Sequence, residues 1–287
     1  MWKTAISIGA ILLATTIRWL NGIFVRYLDL PIATQTFLRL STPCILCGIY
    51  LLYHKKPLIP KDWRTMTSIS AANAARIGLL MAWYATTTAT IVTSIQRVNV
   101  IIVVILAYFL LGERITKIKA ISVIVWFTGV IIIWLNRGLA IHHADIIGIW
   151  FVLLSAMFSG YIHTKYKSMI SANGIAYMLF YQSVVGTIVY GIYSLLYSPL
   201  PTMLQLGVGV FHSALIWILG FGLYFRGMKH IQASYSVILI YFEIVSAAFF
   251  SFLFFREIPS IPVVIGICLI ISSWLLVTYW LQNKAKA

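Results

Sequence analysis

The sequence predicts an all-α polytopic membrane protein, with ten transmembrane helices arranged as two inverted five-helix repeats. Three observations predict it. Hydrophobic residues make up 61% of the 287 and charged residues 9%, against about 25% charged in soluble domains. The apolar runs are each long enough to cross a hydrocarbon core of roughly 30 Å as a helix. Parts of the first half recur in the second at a shift of 143 or 144 residues. An outer-membrane barrel would instead alternate apolar and polar residues over strands of about ten.

The spans fall near Thr4–Val25, Pro31–Tyr53, Met66–Ala85, Ala89–Leu111, Thr116–Leu135, Ile146–Lys165, Gly174–Leu196, Met203–Tyr224, Ile231–Phe255 and Ile261–Leu281. Their links are short, and Thr86 to Thr88 barely separates the third from the fourth. The first span lacks a small-residue cleavage site and reads as a retained helix, not a signal peptide. Short links leave no room for a soluble domain. The repeats divide the chain at 1–137 and 138–287.

The net charge of +15 does not imply nucleic acid. Most of the basic residues sit in the links, where they set orientation. Fourteen fall on one side, among them Lys3, Lys55, Lys56, Arg114, Lys117, Lys119, Lys165, Lys167, Arg226 and Lys229; Arg26, Arg137 and Arg256 fall on the other. This asymmetry places both termini in the cytoplasm of a cell inner (plasma) membrane. Cys44, Cys47 and Cys268 all lie in apolar spans and read as small packed residues, not as redox or metal groups.

The most informative stretch runs from Tyr224 to Glu257, an apolar span interrupted by one carboxylate, Glu243. Its weaker twin runs from Trp83 to Glu113. Glu257 aligns with Glu113 and Glu243 with Asn99, because both pairs are 14 apart. Ile32, Ala33, Phe37 and Gly48-Ile49-Tyr50 likewise recur as Ile175, Ala176, Phe180 and Gly191-Ile192-Tyr193, which pairs Arg39 with Gln182. Five helices per copy is an odd number, so the second copy enters the membrane inverted. Repeats of this kind are a transporter signature, with the site near the midplane at their interface.

Four arginines also lie at membrane depth: Arg18, Arg39, Arg76 and Arg97. At roughly 2.5–3.5 kcal/mol each, their insertion costs on the order of 10 kcal/mol. All belong to the first half, and the matching acid at depth is Glu243 in the second. One arginine at most can therefore be neutralised by a side chain at that depth. The others need water, carbonyls or an anionic ligand group, and the guanidinium fork suits carboxylate and phosphate. Helical spacing places Thr15, Arg18 and Asn21 on one face, and Asn73, Arg76, Leu80 and Trp83 on another. Ser94 pairs with Arg97, while Asn99 lies on a different side. Ser236, Ile240, Glu243 and Ala247 form a stripe, as do Ser155, Ser159 and His163. Trp83 and Tyr84 are placed to stack on a planar solute. His163, His212 and Gln182 read as packing or interhelical contacts, and Glu113 and Glu257 as local ion pairs with Arg114 and Arg256.

The chain resembles the ten-helix EamA branch of the drug/metabolite transporter superfamily over nearly its whole length. The resemblance rests on Arg39 within FLRL, the hairpin WYATTTATIV, AYFLLGERIT ending at Thr116, Gly129 in the fifth helix, YFRGMKHIQAS, Glu243 within YFEIV, and FFREIPS. The chain departs from the pattern at Val100 and Ile244, where proline is frequent, and at Arg18, where tryptophan is common. The resemblance implies two inverted five-helix bundles around a central cavity. The first, third, fourth, sixth, eighth and ninth helices would line it, with the fifth and tenth at the periphery.

No P-loop and no H-E-x-x-H motif is present, so no cofactor, metal site or catalytic constellation is expected and the chain does not read as an enzyme. The reading is a secondary active transporter of a small organic metabolite bearing an anionic group, an amino acid or an S-adenosylmethionine-like zwitterion. Substrate contacts are expected from Arg18, Arg39, Arg76, Trp83, Arg97, Asn99 and Glu243, with Glu243 also the candidate for proton or ion coupling. The expected partners are the metabolite and the lipid bilayer, not nucleic acid; a homodimer is compatible with this. Two rival readings stand beside it: a proton-coupled multidrug exporter, and a lipid-handling or structural membrane protein.

Overall fold

A computed structural model describes residues 2–84, 98–135, 143–240, 260–284 and eight positions between 242 and 256. Arg97 and Glu257 lie outside the described residues, as does the side chain of Trp83. The secondary structure of the described residues is helical, with no strand among them. The helices are α1 (Trp2–Trp19), α2 (Asn21–Leu28), α3 (Ile32–Tyr53), α4 (Trp63–Tyr84), α5 (Asn99–Leu111), α6 (Lys117–Leu135), α7 (His143–Asn173), α8 (Ile175–Tyr197), α9 (Met203–Ser213), a π-helical turn (Ala214–Gly220), α10 (Phe221–Met228), α11 (Ala233–Ile240) and α12 (Ile261–Lys284). Among the described residues, four stretches are long and apolar enough to cross a membrane: Ile32–Tyr53, Ile175–Tyr197, Met203–Met228 and Ile261–Trp280.

Local chemistry explains the boundaries. Asp29 at φ 42° stops α2, and Gly112 at φ 65° stops α5; glycine meets such angles without a Cβ clash. Gly174 at φ 91° separates α7 from α8. Thr202 and Gln205 form a reciprocal capping box that starts α9. Two spans differ from the uninterrupted helices the sequence predicts. The first breaks at Leu20, whose N–H donates to the carbonyl of Ile17 (3.1 Å). The eighth runs from Met203 to Met228 but passes through the π turn.

The core is built where α1, α4, α7, α8, α10 and α11 meet, around Ile11, Met66, Ile69, Tyr224, Phe225 and Tyr235. Outward faces carry large apolar side chains at high exposure, such as Leu195, Phe109 and Met203. A soluble chain would hide these, whereas lipid accepts them. Small residues set the closest helix contacts. The ring of Phe37 on α3 packs over Gly191 on α8, and the ring of Phe180 on α8 packs over Gly48 on α3. These two contacts exchange under the 143-residue shift. At the edge, α6 and α12 meet through Gly129 and Gly266.

Pro43 lies inside α3 and has no N–H to offer the carbonyl of Arg39. The Ser213 hydroxyl, at the end of α9, donates to that carbonyl instead (2.8 Å). A helix-breaking residue is thus converted into an interhelical tie.

Candidate functional site

The polar side chains inside the bundle form several clusters. In the first, Arg18 in the last turn of α1 meets Glu243, with Nη2 and Oε2 3.5 Å apart. Their side chains keep 22% and 27% of their exposure, so the pair is neither sealed nor freely solvated. The end of a helix favours a cation, because its last carbonyls point their negative ends outward. The Arg18 guanidinium also stands over the Phe221 ring, 4.6 Å from its centroid. Phe221 in turn stacks on Trp217 of the π turn, with centroids 4.8 Å apart and ring planes at 13°. The helix break at Leu20 and the π turn therefore converge on this pair.

Beside it, Arg76 on α4 is held by Asn73, whose Oδ1 accepts from Nε (3.2 Å) and Nη2 (3.0 Å). Asn73 is itself fixed, since its Nδ2 donates to the Gln182 carbonyl (2.8 Å). The Gln182 side-chain oxygen accepts from the Tyr166 hydroxyl (3.0 Å), and Ser155 donates to the Arg76 carbonyl (3.2 Å). His163 Nδ1 lies 3.0 Å from the Tyr224 hydroxyl. His163 meets Tyr166 edge-on, with ring centroids 5.6 Å apart, which joins it to the Arg76 network through Gln182 and Asn73. Asn73 orients the Arg76 guanidinium without adding negative charge to it.

Arg39 belongs to a second cluster. Its Nη2 donates to Gln35 Oε1 (3.1 Å), and Gln35 Nε2 donates to the Leu30 carbonyl (2.8 Å). Arg39 acts electrostatically on His212, whose Nε2 lies 3.1 Å from Asn21 Oδ1 and whose ring stacks on Phe24. Asn99 is 3% exposed and donates to Ser159 (3.0 Å), tying α5 to α7. Its repeat counterpart Glu243 ties the ninth span to α1 through Arg18. One aligned position thus carries a neutral bond in the first half and an ion pair in the second.

Two sequence readings are corrected here. The one-face grouping of Thr15, Arg18 and Asn21 fails because α1 ends before Asn21, which goes to His212 while Arg18 goes to Glu243. Glu113 does not pair with Arg114. It is 8% exposed and pairs with Lys119 Nζ at 3.4 Å, and Lys119 is 1% exposed although the sequence placed it among the link residues. The Glu113 carboxylate also accepts from the backbone N–H of Ala233 (2.7 Å), the N–H of Ser234 (3.4 Å) and the Ser234 hydroxyl, capping α11. The N-terminal amides of a helix are strong partners for a carboxylate. Lys119 Nζ further donates to the carbonyl of Arg114 (3.1 Å) and to Gln232 Oε1 (3.3 Å).

Among the described residues, no group of three His, Cys, Asp or Glu is placed to hold a metal. Cys44, Cys47 and Cys268 are free thiols. An apolar groove of ≈ 540 Å³ runs between α2 and α9, lined by Phe24, Tyr27, Met203, Leu204, Val208 and Phe211. It is distinct from the Arg18–Glu243 cluster.

The sequence profile of the EamA-like transporter family matches residues 5–135 and again 146–279. The chain belongs to the EamA-like transporter family. Its two matched segments carry the two halves of the contacts above, with Arg18 in the first and Glu243 in the second. This EamA-like chain is also similar to a solved structure titled only as the crystal structure of a protein. The likeness covers 98% of each chain, with a TM-score of 0.81 at 13% identity, and it carries the fold alone. That structure is one of 29 matching chains. A comparison with curated proteins found no match. Family and apolar helices together make this EamA-like chain an integral membrane protein.

Proposed function

We propose that the chain is a secondary active transporter of a small organic metabolite with an anionic group, an amino acid or an S-adenosylmethionine-like zwitterion. It works by alternating access across the inner (plasma) membrane, with both termini cytoplasmic. One observation carries the reading: Arg18 and Glu243 stand 3.5 Å apart, partly exposed, one from each matched segment. A zwitterion offers each of them a replacement partner, carboxylate for Arg18 and ammonium for Glu243. Arg76, Arg39 and Asn99 are the further contacts this reading assigns, and from sequence alone it adds Arg97 and Trp83. The internal pair neutralises Arg18 and Glu243 while the site is empty, so neither of these two charges is left bare.

Opposed repeats supply the motion. The exchange of Phe37 on Gly191 for Phe180 on Gly48 supports this reading, because a two-fold axis between inverted halves would produce it. Rocking about that axis would present the pair to one side and then the other.

The test is flux into proteoliposomes of labelled amino-acid mixture and labelled S-adenosylmethionine. Saturable uptake of either, lost in Arg18→Gln, is the expected result. No uptake of either by folded protein overturns the assignment. Cationic-dye efflux that survives Arg76→Asp and disappears in Glu243→Gln assigns a multidrug exporter instead.

A further inference from the structure

Trp217 stands on the π turn, and nothing in the sequence marks it as a site residue. Its indole Nε1 is buried and has no acceptor among the described residues. A buried donor left unpaired costs roughly 1–3 kcal/mol, and native proteins rarely leave one without a reason. Gln182 Nε2 and Trp274 Nε1 are in the same position. The Gln182 amide, however, is spent through its oxygen on Tyr166, and Trp274 sits on the edge helix α12 against Phe242. Trp217 differs from both because it stacks on Phe221, the ring that carries the Arg18 guanidinium.

Its backbone setting points the same way. The π turn spans seven residues, Ala214–Gly220, where an unbroken α-helix would serve equally well to cross a membrane. Such turns are rare and recur at functional sites. This one packs against the end of α1, with Gly220 against the stem of Arg18. The turn therefore carries an unpaired donor on the ring that stacks against Phe221, and Phe221 holds a cation that a carboxylate or phosphate would seek.

We infer that Trp217 is a solute-binding residue: its indole N–H donates to a carboxylate or phosphate oxygen of the molecule held at Arg18. This rests on the anion-carrying reading above and adds a donor that reading did not contain. The aromatic stack gives the site a flat wall, and the N–H gives that wall a direction. An anion on Arg18 alone could rotate freely; one bonded to Trp217 as well has its remaining substituents aimed.

The experiment is thermal unfolding of the purified full chain in detergent with rising acetate or methylphosphonate, against chloride at matched ionic strength. Wild type is expected to gain Tm saturably with one of the two anions. Trp217→Phe keeps the ring stack, so its Tm without anion should equal or exceed wild type, because an unpaired donor is gone. Its half-saturation should rise roughly fivefold or more, the size of one lost hydrogen bond. Trp217→His restores a ring N–H and should fall between the two. Equal half-saturation in wild type and Trp217→Phe overturns the role of Trp217 while leaving the Arg18 site standing. A wild type that gains no Tm with either anion overturns the inference together with the anion reading.

Discussion

Gly129 and Gly266 lie so close that the carbonyl oxygen of each is 2.6 Å from where a Cβ on the other would stand. No side chain fits, and the opposing atom is backbone, which cannot rotate away. Gly129→Ala or Gly266→Ala must therefore push α6 and α12 apart. Overpacking of this kind costs roughly 1–3 kcal/mol. We expect either variant to lower the Tm in detergent by several degrees, and Gly207→Ala, where nothing lies within 4 Å, to leave it unchanged.

The Glu113–Lys119 pair joins the end of α5 to the start of α11, from one matched segment to the other. Both side chains are more than nine-tenths buried. Glu113→Gln would leave Lys119 a buried cation without its counter-charge and weaken the cap on α11. Breaking such a pair costs about 3–5 kcal/mol. Folded yield and Tm should fall sharply in Glu113→Gln. In Glu113→Gln with Lys119→Met they should partly recover, since the stranded charge is gone. A double variant worse than the single would mean that Lys119 works mainly through Arg114, Gln232 and Tyr235.

Lys167 gives a pH prediction. Its Nζ donates to the carbonyls of Met228 (2.7 Å) and Lys229 (2.9 Å), closing the end of α10. Burial holds its pKa below the ordinary 10.5, partly offset by the charge of Glu113. Between that lowered value and 10.5 the unfolded chain binds more protons than the folded one, so this group makes stability rise with pH across that window. Lys167→Met should remove this contribution. Comparing Tm against pH for the two proteins up to pH ~10.5 measures it; parallel curves would count against it.

Much of this arrangement is legible in the sequence, and the losses have physical causes. Every described helix overlaps a stretch that hydropathy marks, and four stretches among them are long and apolar enough to cross a bilayer. The 3.6 period places Asn73 beside Arg76, and the two do bond. Counting charges shows that Glu243 can satisfy one arginine but not which one, because that depends on where α1 breaks. Asn21-Gly22, a turn-marking pair, follows Leu20 but does not fix where α1 ends, and the π turn has no compositional mark. Phe221 and Trp217 therefore stay hidden among 42 aromatic residues (10 Trp, 16 Tyr, 16 Phe). Glu113 was misjudged because its best donors lie about 120 residues away, and neighbours in sequence cannot compete with helix-end amides.

The Arg18–Glu243 contact separates two roles that a static structure superimposes, holding a conformation and holding a solute. Stability and flux, read on the same variants, divide them, and a double-mutant cycle gives the first. With about a quarter of each side chain exposed, solvent screens the pair, and its coupling in the Tm of the empty protein should be about 1 kcal/mol or less. Flux should respond far more strongly. Arg18→Gln removes the anion's partner and should cut kcat/KM for the labelled solute at least roughly tenfold, since hydrogen bonds to a charged group are each worth about 1.5–3 kcal/mol. Glu243→Gln leaves Arg18 unpaired in the empty protein. It should therefore tighten a simple anion such as acetate while slowing turnover of a zwitterion, which loses its ammonium contact. An Arg18→Gln variant that lowers Tm by several degrees yet transports normally would show the pair to be a strut and move the solute site elsewhere.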